Sequence, residues 1–116
     1  MEIPFLHEFP DREHLRKWLQ ENHSTSTECW VSSYVKNRRE GALAYSDIVE
    51  EALCFGWIDS TKKKTPDGKL AQRISPRRPR SHWTERNREL CRDLQRRGLL
   101  TEDGLRALGS GEECSA

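Results

Sequence analysis

Eight residues between positions 57 and 87 have the types that recognise a small charged ligand: Trp57, Asp59, Arg73, Arg77, Arg80, Ser81, Trp83 and Asn87. Tryptophans beside arginines can hold a flat or anionic group, and the free amides at the start of a helix capped by Ser81 suit a phosphate or carboxylate. Pro76 and Pro79 stiffen the approach, so Arg77 and Arg80 are held near that helix start at little entropic cost on binding. The expected partner is a small anionic ligand, or a protein that presents one. A structural reading competes: Trp57 and Trp83 in the core, Asp59 tied to Arg73, and Ser81 no more than a cap.

Two other function classes stay open. An enzyme would centre on Asp59, the one inward-looking acid the pattern nominates. Against it, the chain has no paired-carboxylate spacing, no phosphate-cradling glycine loop and no nucleophile with an evident histidine base. The third class is sequence-independent nucleic-acid binding. Residues 62–88 carry 10 basic and 2 acidic side chains, a balance of +8, against −5 for residues 1–61 and −2 for 89–116. Lys62–Lys64 and Arg77–Arg80 could follow a phosphate backbone, with His82 and Trp83 as a stacking surface. No recognised nucleic-acid motif supports this, and the rest of the surface is acidic.

Local patterns say which elements must position these residues. Asp11 caps an amphipathic helix over about 12–22, with Leu15, Trp18 and Leu19 on one face. The segment 29–36 is rich in β-formers and apolar on both faces, which places it centrally in a sheet. Ser46 is expected to cap the next helix, with Asp47 in its first turn, and the helix runs to about Phe55. Gly56 then ends it in a left-handed conformation and delivers Trp57, Ile58 and Asp59 into extended chain.

Thr65-Pro66-Asp67-Gly68 predicts a three-residue hairpin loop in which Thr65 faces Lys69. An unbroken ladder from that turn puts Ile58, Leu70 and Ile74 on one face. Trp57, Asp59, Thr61, Ala71, Arg73 and Ser75 then share the other, with Asp59 and Arg73 as diagonal neighbours. After the extended arm 75–80, a helix over 82–97 carries the stripe Trp83, Asn87, Leu90, Cys91 and Leu94 until Gly98 stops it. A short helix from Glu102 to Leu108 follows a Thr101 cap. Residues 109–116, rich in Gly, Ser and Glu, are expected to be a disordered tail after a single domain over 1–108. The fold class is α+β: two layers, a small antiparallel sheet with a β-hairpin packed against three to four helices.

Composition agrees with a cytoplasmic domain. A chain of 116 residues can bury a core without disulfides or metal, and the mean hydropathy of −0.94 leaves no run of the ~20 apolar residues that span a bilayer. The start Met1-Glu2-Ile3-Pro4-Phe5 lacks the basic and apolar regions of a secretory signal. The 4 cysteines are scattered, with no C-x-x-C pair and no histidines at zinc spacing, so reduced thiols are expected, with Cys29, Cys54 and Cys91 buried. No metal site and no cofactor are expected.

The stretch Glu51-Ala52-Leu53-Cys54-Phe55-Gly56-Trp57-Ile58-Asp59, followed by Arg73-Ile74-Ser75-Pro76-Arg77-Arg78-Pro79, Ser81, Trp83 and Asn87, resembles the signature of the YdeI/OmpD-associated, or bacteriocin-protection, family. The likeness reaches upstream through Trp18-Leu19, Asn22-His23 and Trp30, and downstream to Gly98. It implies a YjbR/CyaY-like α+β fold and a role in envelope stress or tolerance of antimicrobial peptides. No catalytic residue carries over. Two departures stand out: the basic helical segment that usually follows in that family is not in this sequence, and Leu70 stands where an aromatic is common. An iron site of the frataxin kind is not implied, because its acidic helix and edge have no counterpart here.

Overall fold

In the computed structural model, which describes residues 3–36, 38, 40–77 and 84–108 (backbone alone for 107 and 108), the turn at Gly56 organises the molecule. Its φ of 77° lies in the left-handed region, which only glycine adopts without strain, so helix α2 (Tyr45–Cys54) stops and strand β4 (Trp57–Lys64) begins. The amide of Gly56 bonds the carbonyl of Leu53, and its own carbonyl accepts from the amide of Arg77, which closes the far end of the hairpin made with β5 (Leu70–Pro76).

Helix α1 (Arg12–Asn22) starts where its cap requires, with the Asp11 carboxylate accepting from the amide of His14 at 3.0 Å. Strand β2 (Cys29–Tyr34) is central as expected, flanked by β5 on one edge and by two short strands, β1 (Leu6–His7) and β3 (Leu43–Ala44), on the other. Both of those pair with β2 in parallel, whereas β2, β5 and β4 are antiparallel neighbours, so the sheet is mixed and not wholly antiparallel as expected. Strands of two residues are too short to carry a period, which is why the sequence shows no sign of them. Val35, expected within β2, lies past its end and is exposed.

Two helix starts differ from expectation. Helix α2 begins at Tyr45, one residue before Ser46, because β3 runs straight into it through Ala44, which provides no side-chain cap. Helix α3 (Glu85–Arg96) begins after Thr84, whose hydroxyl accepts from the amide of Asn87 at 3.1 Å; Ser81, expected to cap this helix, lies outside the described residues. Gly98 ends α3 with a φ of 72°. Helix α4 (Glu102–Leu108) follows Thr101, whose hydroxyl donates to the carbonyl of Cys54 and accepts from the amide of Gly104. The expected tail, 109–116, is also outside the described residues.

The helices cover one face of the sheet. Leu15 and Leu19 of α1, Ile48, Ala52 and Leu53 of α2, and Cys91 and Leu94 of α3 join Cys29, Val31, Ile74 and Trp57 in one buried cluster. Burying such side chains contributes roughly 1.5–3 kcal/mol each, so this cluster is the main source of stability. The α+β, two-layer architecture is the expected one.

The hairpin register corrects one expectation. From the turn to Thr61 the ladder is the predicted one, with Lys64 opposite Leu70 and Thr61 opposite Arg73. Ser60 is then an extra residue, a β-bulge, and beyond it Asp59 faces Ile74 and Ile58 faces Ser75. One inserted residue inverts the parity of everything past it. Ile58 and Ile74 therefore lie on opposite faces, and Trp57 and Asp59 sit on the helix-covered face, away from Arg73. The bulge is held by Arg73, whose guanidinium donates to Ser60 Oγ at 2.9 Å.

Candidate functional site

The inversion at Ser60 has a chemical result. Asp59, opposite Ile74, and Lys62, opposite Gln72, now share the covered face, although an unbroken strand would place residues three apart on opposite faces. Both meet Tyr45, the first residue of α2. Its hydroxyl donates to Asp59 Oδ2 at 2.6 Å, and Lys62 Nζ stands 4.8 Å from the centroid of its ring. Partial burial and the Asp59 carboxylate push the Tyr45 hydroxyl up to about 12, with Arg86 opposing the shift. Tyr45 is thus a hydrogen-bond donor throughout the neutral range.

Around this pair is a cavity of about 120 Å³ lined by Tyr45, Ser46, Val49, Glu50, Asp59, Arg86, Asn87 and Leu90. Val49 and Leu90 supply an apolar floor. Among the described residues, the second oxygen of Asp59, the guanidinium of Arg86 and the side-chain amide of Asn87 have no hydrogen-bond or ion-pair partner. They come from two elements, β4 and the first turn of α3, both facing the start of α2, and they converge on one half-enclosed space. Glu50 differs: it is engaged by Arg12 at 3.1 Å and by Arg97 at 3.6 Å.

Of the residues the sequence nominated, the structure brings Asp59 and Asn87 together. Trp57 is core: it is 1% exposed, packs edge-on against Trp18 with centroids 5.9 Å apart, and donates from Nε1 to the carbonyl of His23. Arg73 is on the opposite face of the sheet, bound to Glu28 at 2.7 Å, so its expected pairing with Asp59 does not form. Arg77 closes the hairpin through its amide. Arg80, Ser81 and Trp83 lie outside the described residues. Sequence reasoning missed Tyr45 and Arg86. A tyrosine opening a helix and an arginine beside the nominated Asn87 are signals too common to single out.

A larger depression of about 960 Å³ lies between Ile3–Leu6 and Lys63–Pro66. It is open and collects only two lysines against an apolar wall, so it offers no converging hydrogen-bonding set. The thiols among the described residues offer no chemistry either: Cys29, Cys54 and Cys91 are buried, and burial pushes Cys29 up to about 12 and raises Cys54. Among the described residues no group of three or more His, Cys, Asp or Glu side chains could hold a metal ion, and no helix is long and apolar enough to cross a membrane.

Fold and cavity define a small α+β domain with a polar cavity between its helical layer and the edge strand of its sheet. The chain belongs to a family described as a domain of unknown function (DUF8412), which matches residues 7–107. No curated protein and no solved structure matches the chain.

Proposed function

We propose that the chain is a small-ligand-binding domain whose site is the cavity at Tyr45, Asp59, Arg86 and Asn87. The observation that carries this reading is the set of three unpartnered polar side chains, one from β4 and two from α3, that line one cavity. Asp59 and Asn87 are half-buried and Arg86 is exposed at the rim, and polar groups that converge on a partly apolar cavity in this way suit a ligand. The anion was expected at a helix start at Ser81, beside Arg77 and Arg80; the helix begins at Glu85, and the proposed anion site moves with it to Arg86 and Asn87. Binding suits the site better than catalysis, because Tyr45 holds its proton and Asp59 has no second acid or base within the cavity apart from the ion-paired Glu50. Three buried thiols without a disulfide suit a reducing, cytoplasmic setting. The resemblance to YdeI/OmpD-associated proteins supports a place for such a binding domain in envelope stress or antimicrobial-peptide tolerance.

The test is an amide NMR titration of the full chain with phosphate, acetate, glycine and glycolate. The amides of Ser46, Asp59 and Asn87 should move with at least one probe and stop moving in Arg86→Ala. If no probe moves them, the cavity is structural and the reading falls.

A second reading rests on one observation. Lys62, Lys63 and Lys64 lie on β4, an edge strand, and none has a carboxylate within 4.0 Å among the described residues. Charged side chains on a free edge also discourage strand pairing between copies, which is a sufficient structural reason for them. Nucleic-acid binding through these lysines is therefore the lesser proposal.

A further inference from the structure

The chemistry of the cavity narrows its ligand. We infer that the site takes a short hydroxy acid, with the hydroxyl on Asp59 and the carboxylate on Arg86; this rests on the binding reading above.

One oxygen of Asp59 accepts from Tyr45, which leaves the other as an acceptor, so the ligand atom that meets it must donate. Arg86 can only donate, and its planar fork matches a carboxylate, so the ligand must carry an acceptor at the other end. Asn87 sits next to Arg86 and can serve either end. A donor and a carboxylate held by one cavity require a molecule with both groups close together.

Size sets the spacing between them. A volume of about 120 Å³ is that of about four waters at ~30 Å³ each, or about four to six non-hydrogen atoms. Within that limit the donor lies one or two carbons from the carboxylate. Val49 and Leu90 leave an apolar wall against which a methyl substituent can rest, as in lactate. Charge then chooses the donor. Glu50 is already neutralised by Arg12 and Arg97, so the cavity itself holds Asp59 against Arg86, with Lys62 at the Tyr45 ring as a second cation. That excess of one positive charge favours a ligand of charge −1, a hydroxy acid, over a zwitterionic amino acid.

Calorimetric titration of the full chain with glycolate, L-lactate, acetate and glycine tests this. Glycolate and L-lactate should bind, acetate at least about tenfold more weakly for want of a donor, and glycine more weakly than glycolate. Arg86→Ala, at an exposed position, should abolish all carboxylate binding with an unchanged circular dichroism spectrum. Asp59→Ala should bring glycolate and acetate to within about twofold of each other, the difference being the hydroxyl contact alone. Acetate as tight as glycolate overturns the hydroxy-acid class while leaving an anion site. Glycine as tight as glycolate replaces the class with amino acids. No binding by any of the four, with no amide shifts at Ser46, Asp59 or Asn87, overturns the ligand class and the binding reading together.

Discussion

The two flanks of helix α2 handle charge in opposite ways. On the flank facing α1, Glu51 is 3% exposed and accepts from both Arg12 at 2.8 Å and Arg16 at 3.0 Å, while Arg12 also reaches Asp47 and Glu50. Arg16 also donates to the carbonyl of Leu99. Every group there has its counterpart. On the flank facing β4 and α3, Tyr45 satisfies half of Asp59, and the side chains of Arg86 and Asn87 stand without partners among the described residues. A matched buried network holds a fold in one arrangement; an unmatched set of the same residue types has capacity left for a ligand.

The comparison breaks most readily at Glu51. Removing its carboxylate in Glu51→Ala leaves two guanidiniums without their shared acceptor, and we expect a loss of about 2–3 kcal/mol in urea unfolding, the lower part of the usual range because both arginines keep some solvent contact. A loss below about 0.5 kcal/mol would mean that the matched flank is no more structural than the cavity. Next in size is Gly104→Ala. A Cβ there would stand 2.5 Å from the carbonyl oxygen of Cys54 and 2.9 Å from that of Leu53, so α4 must move off the end of α2. The expected cost is about 1–3 kcal/mol. Unchanged stability would show that α4 docks more loosely than its contacts suggest.

On the cavity side the effects should be smaller on stability than on binding. Tyr45→Phe removes one half-exposed hydrogen bond and should cost about 1 kcal/mol, while weakening glycolate by freeing Asp59 to turn away. Equal losses in Tyr45→Phe and Glu51→Ala would erase the distinction between the flanks. The pH dependence follows from the same pair. The Tyr45 hydroxyl is raised in the folded protein above its ordinary value of 10.0 to about 12, so the unfolded chain releases this proton first as pH rises. Its contribution is complete below pH 10.0 and is lost as pH approaches about 12. Tyrosinate absorbance in a Tyr34→Phe variant should show one late titration that moves earlier in Asp59→Ala. Smallest of all, a labelled DNA duplex should bind Lys62–Lys64 weakly and only at low salt, as counterion release requires. Anisotropy that is unchanged in a Lys63→Ala/Lys64→Ala variant would remove the nucleic-acid reading.

Much of the scaffold was legible because its signals are local. The Asp11 cap, the end of α2 at Gly56, the Thr65–Lys69 turn, the stop at Gly98 and the Thr101 cap each depend on groups within a few residues. The central place of β2 was legible for a related reason, since apolar residues on both faces need cover on both. The site was legible only in part. Asp59 and Asn87 could be nominated by type, but Arg73 and Trp57 were assigned to the wrong company by a parity argument that assumed an unbroken ladder.

The sequence by itself determined where the chain turns and which helices and longer strands it makes, because capping, positive-φ glycines and apolar periodicity act over one or two turns of backbone. Tertiary structure alone decided that Ser60 bulges. Ser60-Thr61-Lys62-Lys63-Lys64 has no apolar face to enforce a parity, so the register there was free to follow Arg73 and the packing of Trp57 beneath the helices. That one residue turns Asp59 and Lys62 toward Tyr45, and only the docking of α2 and α3 on the sheet brings Arg86 and Asn87 to meet them.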